Sequence, residues 1–418
     1  MKIWIPKNRE DLRRHLSDPL FKNAYFLMLS SITSAGSGFF FWLIVARFYS
    51  AEDVGLASAI ISATGLIAML SLLGFDVSLV RFLPERDDKA ELINTCLIIS
   101  FIFSLAFALI FLSGIDVWSP SLNLIREKTF LFLFLFYTAI SPLTALQSQG
   151  VFVGFRKAEY TFYQTIVTFA RVAIVPFLTA FGAFGIYASY SLTSILAFLL
   201  GLFLISKTCS YRFSFSFKLL NDIFHYSAGN YLARILESLP TLILPIMVVN
   251  VLGAEQNAYF FIAWAVSGLL LVIPSATSRS LLAEGSYGED LRFNALRAIK
   301  FISLLLLPAI TFIFLFGDYL LLIFGKQYAE NSLKVLRILA LASIPYSVNV
   351  LYASIKRIRK EIKPLIYLYA GISILTIATS YLLMQNMGII GVGIAWVLAN
   401  VLVAVFIVFS LRRAYFLQ

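Results

Sequence analysis

Twelve long apolar segments run through this chain of 418 residues, and they limit its fold more than any other feature. Each is about 18–26 residues long, enough to cross roughly 30 Å of hydrocarbon as a tilted helix. A chain that is 60% hydrophobic and 13% charged has too much apolar surface for a soluble core. The sequence therefore predicts an all-α integral membrane protein with twelve transmembrane helices. These predicted spans, numbered 1 to 12, are 24–46, 54–75, 92–113, 129–150, 159–181, 184–206, 226–251, 257–278, 296–316, 333–355, 364–385 and 388–411.

The lysines and arginines predict the orientation of these spans. Of the 33, 23 lie at the two ends of the chain or in the links that follow even-numbered spans, 4 lie in the other links, and 6 lie within spans. Because positive charge collects on the cytoplasmic side, both termini are predicted to be cytoplasmic, in the cell membrane. This asymmetry accounts for the net charge of +11 without nucleic acid, and membrane lipids are the expected surface partner.

No pattern in the sequence indicates an enzyme. It contains no Gly-rich phosphate loop, no paired carboxylates and no Ser/His/Asp set, and its outer loops are shorter than about 20 residues. The two histidines and two cysteines show no ligand spacing, so no metal or cofactor is expected. The predicted class is a membrane transporter.

An internal repeat divides the chain into halves of six spans. Matching residues recur at an offset of 203, and at 206 near the end of each half. The pairs are Ala51 and Ala254, Pro142 and Pro345, Arg156 and Arg359, and Gly185 and Gly391. Six spans in each half give both halves the same topology, so they form a parallel repeat whose interface is the expected substrate site. The predicted domains are a cytoplasmic segment 1–22, an N-lobe 23–206, a cytoplasmic linker 207–224 and a C-lobe 225–418.

Four segments resemble one transporter family. They are ARFYSAEDVGLASAII (46–61), LLGFDVSLVRFLPE (72–85), FGKQYAENSLKVLRILA (324–340) and NMGIIGVGIAWVLANVL (386–402). They are similar to the Wzx-type O-antigen and capsule flippases of the multidrug/oligosaccharidyl-lipid/polysaccharide superfamily. The resemblance implies two six-helix lobes around a central cavity that opens alternately to each side. It also implies a substrate, a polyprenyl-diphosphate-linked oligosaccharide, that moves from the cytoplasmic to the outer leaflet for glycan biosynthesis. Glycan-assembly proteins are a further expected partner class.

Two polar stripes within the spans are the candidate substrate site. In span 7, Asn230, Arg234, Glu237 and Thr241 are spaced 4, 3 and 4 residues apart and share one helix face. In span 5, Gln164, Thr168 and Arg171 do the same. Polar groups in a membrane helix must face protein or water. A guanidinium fork suits diphosphate, so we expect Arg234 and Arg171 to hold the diphosphate. Asn230, Gln164 and Thr168 are expected to meet sugar hydroxyls.

Two alternatives for the stripe in span 7 stay open. Arg234 and Glu237, at positions i and i+3, could form a structural ion pair without touching substrate. Glu237 is also the candidate for proton or sodium coupling, the coupling that such a transporter would use in place of a cofactor.

The repeat also suggests a gate. Asp76 aligns with Arg279, and Arg81 aligns with Glu284, all predicted at the cytoplasmic ends of spans 2 and 8. We predict ion pairs between the halves that form when the cytoplasmic side closes. The alternative is that these side chains reach water and headgroups. If the ion pairs form, exchanging the charges, Asp76→Arg with Arg279→Asp, should restore the transport that is lost in either single variant.

The alternative functions are a cation-coupled multidrug antiporter of the same superfamily and, less favoured, a membrane glycosyltransferase or polymerase. A cationic drug needs carboxylates without competing arginines, whereas the stripes hold two arginines and one glutamate.

Overall fold

A computed structural model describes residues 19–209, 215–216, 218–286 and 291–416, and within these ranges the chain is almost entirely helical, without strands. Eleven described segments are long and apolar enough to cross a membrane. A helix satisfies its own backbone hydrogen bonds, which a lipid interior cannot do. The fold is therefore that of an all-α multi-pass membrane protein, as predicted.

The helices extend beyond most of the predicted spans. For spans 1 to 4 they are Pro19–Phe48, Ala51–Ser71, Lys89–Ser113 and Lys128–Ala145, the last continuing through a π-helix, Leu146–Val151, to Phe152–Gly154. For spans 5 and 6 they are Ala158–Phe169, Arg171–Ile174, a 3-10 segment Val175–Phe181, and Gly182–Thr208. For spans 7 to 12 they are Lys218–Leu252, Ala254–Ser286, Leu291–Leu322, Lys326–Ile358, Ile362–Met387 and Ile389–Phe416. Short helices Phe75–Phe82, Leu83–Glu85, Ile115–Trp118 and Pro120–Arg126 lie in the links.

Spans 5 and 6 lie in one continuous apolar segment of 51 residues, Ala158–Thr208. Within this segment the chain turns back on itself, so the two spans run antiparallel. The chain reverses at Gly182, whose φ is 51°. Far from the turn, Gln164 Nε2 of span 5 donates to the carbonyl oxygen of Ala197 of span 6 at 3.0 Å. Nearer the turn, a Cβ added at Gly185 would lie 2.1 Å from the carbonyl oxygen of Leu178. Each contact joins residues at similar distances before and after the turn, as in a pair of antiparallel helices. The eleven apolar segments therefore contain the twelve predicted spans.

Span 2 differs from the prediction because its helix ends at Ser71. Leu73 and Gly74 have φ of 50° and 76°, which breaks the helix before the short helix Phe75–Phe82 begins. Apolar residues continue across this break, so hydropathy alone did not locate it. The equivalent span 8 runs unbroken to Ser286. The two halves of the repeat therefore differ in local backbone at this point.

Elsewhere the backbone repeats closely. Gly182 and Gly388 directly precede spans 6 and 12 with φ of 51° and 57°. Arg156 and Lys360, in the links after spans 4 and 10, have φ of 56° and 58°. A positive φ is uncommon outside glycine. Its recurrence at matching points indicates the same chain path in both halves.

The chain divides into two compact units, which we describe separately. Unit 1 contains 1–44, 67–114 and 124–228, and unit 2 contains 45–66, 115–123 and 229–418. The division into an N-lobe 23–206 and a C-lobe 225–418 stays a prediction. Most of the predicted terminal segment 1–22, and part of the linker 207–224, lie outside the described residues.

Within unit 2, the start of span 2 packs directly on the start of span 8. A Cβ at Gly55 would lie 1.7 Å from the carbonyl oxygen of Ala254, so glycine permits this backbone contact. The buried Asn257 then donates from Nδ2 to the Gly55 carbonyl oxygen at 2.7 Å. This contact ties the ends of the two repeat-related helices together.

Candidate functional site

Arg171 is enclosed inside unit 1. Its side chain sits where span 5 passes from one helical segment to the next, and the residue is 8% exposed. The guanidinium carbon lies 4.6 Å from the ring centre of Tyr190 and 5.4 Å from that of Phe41. Its Nε donates to Ser37 Oγ at 3.2 Å. Aromatic faces stabilise a desolvated cation. This surrounding favours a role in packing for Arg171, and its contact with substrate stays a prediction.

Gln164 and Thr168 line an open polar cleft of about 720 Å³ within unit 1. Spans 1, 4 and 5 contribute its walls. Its polar side chains are Ser30, Ser31, Ser34, Thr144, Ser148, Gln149, Thr161, Gln164, Thr165 and Thr168. The structure thus brings two of the three predicted residues of the span 5 stripe to one cleft. In the described part of unit 1, Arg171 is not among the residues that line it.

A π-helix shapes one wall of this cleft. Residues Leu146–Val151 of span 4 adopt it shortly after Pro142, where the missing proline N–H weakens regular α-helical bonding. Within it, the buried Gln147 accepts a hydrogen bond at Oε1 from Gln164 Nε2 at 2.8 Å. Gly201 of span 6 leaves the space for this amide pair. Sequence reasoning did not single out Gln147, although a glutamine soon after an intramembrane proline was a usable signal.

The span 7 stripe lies on one helix of unit 2, as the spacing predicts. Asn230, Glu237 and Thr241 are exposed and Arg234 is half-buried. Arg357, in the last turn of span 10, lies 3.4 Å from the Glu237 carboxylate, from Nη2 to Oε2. This ion pair joins the stripe to span 10. The predicted substrate contacts of Asn230 and Arg234 stay predictions.

Arg357 is the functional candidate that sequence reasoning missed. In KRIRKEIK (356–363) it resembles the other cytoplasmic positive charges that orient the protein. In the structure its Nη2 also donates to the Tyr369 hydroxyl at 3.3 Å. The Tyr346 hydroxyl lies within electrostatic range of Glu237, Arg279 and Arg357. Arg234 lies one turn before Glu237 on span 7, and Arg279 acts electrostatically on the same Tyr346 hydroxyl as Glu237 and Arg357. We call these four residues, Arg234, Glu237, Arg279 and Arg357, the arginine cluster.

The predicted gate residues fall in different units. In unit 1, Asp76 is buried, and Arg81 is paired with Glu85 on the short helical link after span 2. In unit 2, Arg279 and Glu284 are exposed on span 8. The break at Leu73 places Asp76 and Arg81 beyond the end of span 2. The proposed ion pairs between the units stay a prediction.

These features define a class: a multi-pass helical membrane protein with an internal repeat and polar or charged groups inside its spans. A family model described as polysaccharide biosynthesis protein matches residues 20–281. This match covers more than half of the chain, so the protein belongs to that family.

Relatives and solved structures agree with this assignment. An uncharacterised membrane protein of Methanocaldococcus jannaschii is 23% identical over 94% of this chain and 98% of its own length. A putative O-antigen transporter of Shigella flexneri is 24% identical over 44% of each chain. The lipid II flippase MurJ in an inward closed conformation has a TM-score of 0.77 at 15% identity, covering 93% of this chain and 87% of MurJ. An inward-facing multidrug resistance MATE family transporter of the MOP superfamily has a TM-score of 0.70 at 19% identity, covering 90% and 92%. At these identities the structural likeness shows the fold alone.

Proposed function

We propose that this protein is a flippase that moves polyprenyl-diphosphate-linked oligosaccharide from the cytoplasmic to the outer leaflet by alternating access. The observation that carries the proposal is the composition of the arginine cluster. Its single glutamate, Glu237, pairs with Arg357, while Arg234 lies one turn away on the same helix and Arg279 acts electrostatically on the same tyrosine hydroxyl as that pair. The net positive charge of this cluster suits an anionic diphosphate.

In this proposal Arg234 holds the diphosphate, and Arg357 and Arg279 add positive charge beside it. Asn230, Gln164 and Thr168 meet sugar hydroxyls. The aromatic enclosure of Arg171 supports a positioning role for it, in place of the direct contact expected from the sequence.

The same cluster argues against transport of cationic drugs. A cationic substrate needs a carboxylate to which it can bind, but the carboxylate of Glu237 is neutralised by Arg357 at 3.4 Å. The family assignment, and the similarity to the putative O-antigen transporter of Shigella flexneri, add support for a glycan substrate. Cytoplasmic termini, location in the cell membrane, coupling to protons or sodium at Glu237 and contact with glycan-assembly proteins belong to the same proposal.

Reconstitution tests the proposal and the role of Arg234 together. Liposomes would contain the purified protein and a polyprenyl-diphosphate oligosaccharide whose labelled sugar starts in the inner leaflet. A glycosidase added outside would cleave the sugar once it reaches the outer leaflet, and so report its exposure. We expect rapid exposure of the sugar with the native protein and a rate lower by about tenfold or more in Arg234→Ala, because the variant loses the guanidinium that binds the diphosphate. A tenfold change corresponds to roughly 1.4 kcal/mol. Arg234→Lys, which keeps the charge but loses the fork, should be intermediate.

Arg126→Ala, in the link before span 4, is the matched control and should transport normally. Equal rates in the native protein and both Arg234 variants would remove Arg234 from the site while leaving the flippase proposal intact. No exposure with the native protein, even under an imposed proton or sodium gradient, would reject the flippase. Gradient-driven movement of a cationic dye would then identify a drug antiporter.

A further inference from the structure

The polar cleft of unit 1 is unusual because it offers hydrogen-bond acceptors without charge. The described residues that line its volume of about 720 Å³ include ten hydroxyl and amide side chains and no Asp, Glu, Lys or Arg. A diphosphate needs donors and positive charge, so this cleft suits a different part of the substrate.

Six of the eight hydroxyl groups that line the cleft already donate their protons to backbone carbonyl oxygens. Ser31 donates to the Leu27 carbonyl oxygen, Thr165 to that of Thr161, and Thr168 to that of Thr165, each at 2.9 Å. Ser30, Ser148 and Thr161 also donate to carbonyl oxygens. A hydroxyl that gives its proton to the backbone keeps its oxygen lone pairs for a ligand. These six side chains therefore present acceptors to whatever fills the cleft.

Gln164 supplies a fixed acceptor. The residue is 3% exposed, and its Nε2 donates to Gln147 Oε1 at 2.8 Å and to the Ala197 carbonyl oxygen at 3.0 Å. These two bonds fix which end of the amide is the acceptor. Its Oε1 has no hydrogen-bond partner among the described residues, and neither does Thr144 Oγ1. A buried acceptor without a partner is costly, so Gln164 Oε1 favours a ligand that donates, whereas the Thr144 hydroxyl can donate or accept.

Nearby charges in unit 1 are kept out of the cleft. Arg171 lies between Phe41 and Tyr190. A neighbouring pocket that shares Gln149 with the cleft contains Arg81, which is paired with Glu85. A second neighbouring pocket holds Arg156, beyond Leu27 and Val153, which it shares with the cleft. Positive charge is thus available beside the cleft but not within it.

We propose that this cleft is a glycan subsite that selects uncharged, hydroxyl-rich sugars and disfavours sugars bearing a carboxylate. Sugar hydroxyls donate to the free lone pairs and to Gln164 Oε1, whereas an acidic sugar would place negative charge against acceptors and lose its own hydration. The inference rests on the proposed flippase function and adds a class of glycan to it.

The test compares two lipid-linked oligosaccharides that share the same polyprenyl diphosphate, one with neutral hexoses and one with a hexuronic acid at the same position. In liposomes with the native protein, we expect the neutral glycan to be flipped about tenfold faster, a difference typical of mismatched polar groups. Ser34→Lys places a cation at the cleft wall and should narrow or reverse this ratio. Ser206→Lys, the same change on an exposed serine of unit 1 outside the cleft, should leave it unchanged.

Thr165→Val provides a second variant without added charge. It removes one acceptor at nearly constant volume and should slow the neutral glycan about threefold to tenfold, with little effect on the acidic one. Equal flipping of both glycans by the native protein would overturn the subsite and keep the flippase. A preference that Ser34→Lys and Thr165→Val both leave unchanged would place the selectivity elsewhere and also overturn it. Flipping of neither glycan would reject the proposed function itself, and the subsite with it.

Discussion

Arg171 of unit 1 and Arg357 of unit 2 show two ways to keep an arginine within or beside the membrane. Arg171 is 8% exposed, and its neighbours are two aromatic rings and a serine. Arg357 is 40% exposed in its side chain, and its neighbours are the carboxylate of Glu237 and the hydroxyl and ring of Tyr369. A cation held by rings is fixed in the packing of the helices, whereas one held by a half-exposed carboxylate can exchange that partner for another anion. The comparison supports a packing role for the first arginine, and it agrees with the proposed ligand-binding role of the cluster that contains the second.

Removing Arg171 should give the largest effect on stability. Arg171→Ala loses two cation–π contacts and a hydrogen bond and leaves a cavity, a cost of about 3 kcal/mol in the free energy of unfolding. Arg171→Lys should recover part of this because the charge stays over the rings. Thermal unfolding in detergent measures the change. A variant that is fully stable but does not transport would break the comparison and favour the substrate contact expected from the sequence.

Gly201→Ala should produce the next largest effect, also in unit 1. Its Cβ would lie 2.0 Å from Gln147 Oε1 and 2.4 Å from Gln164 Nε2, so the amide pair must separate. The lost buried hydrogen bonds cost about 1–3 kcal/mol. Gly36→Ala is the control, since nothing lies within 4 Å of its added Cβ. Equal melting temperatures for the two variants would show that the amide pair contributes little to the stability of unit 1.

Much of the fold follows from patterns within each span, and most of the site does not. Hydropathy and charge predicted twelve spans, and the offset between Gly185 and Gly391 predicted a repeat that the backbone shows at Gly182 and Gly388. These signals are local or periodic. The aromatic enclosure of Arg171, by contrast, uses Phe41, which is 130 positions away and carries no mark in the sequence.

The break at Leu73 escaped prediction for a related reason. Its neighbours are apolar, and a left-handed φ leaves no trace in hydropathy. Arg357 escaped because the rule that orients membrane proteins already explained it. A residue can satisfy a topology rule and still pair with an intramembrane glutamate, and only the structure, which brings Arg357 to Glu237, reveals that pairing.

A double-mutant cycle on Glu237 and Arg357 sharpens the unit 2 side of the comparison. Both side chains are more than a third exposed, so the coupling between them should be below about 1 kcal/mol. Glu237→Gln and Arg357→Gln should therefore each fold normally. In liposomes, Glu237→Gln should lose the response of transport to a proton or sodium gradient if Glu237 is the coupling site. A coupling energy of several kcal/mol would make the pair structural, like Arg171.

The smallest effect concerns two glutamates near the links after spans 4 and 10. Glu159 in unit 1 is buried and lies 2.9 Å from Lys22, whereas Glu361 in unit 2 is more exposed and lies 2.5 Å from Lys356. The hydrogen bond from Lys356 lowers the pKa of the Glu361 carboxyl from its usual 4.5. Since the folded pKa lies below the unfolded one, the stabilisation is complete above the unfolded value and disappears as the pH falls through the folded value. Melting temperatures of the native protein and Glu361→Gln should therefore differ slightly at neutral pH and converge as the pH falls below the folded pKa. Glu330→Gln, which removes a carboxylate 3.7 Å from Lys326, is the matched control. A difference between the native protein and Glu361→Gln that stays constant with pH would mean that the carboxylate charge contributes nothing, and that the link after span 10 is held by its backbone alone.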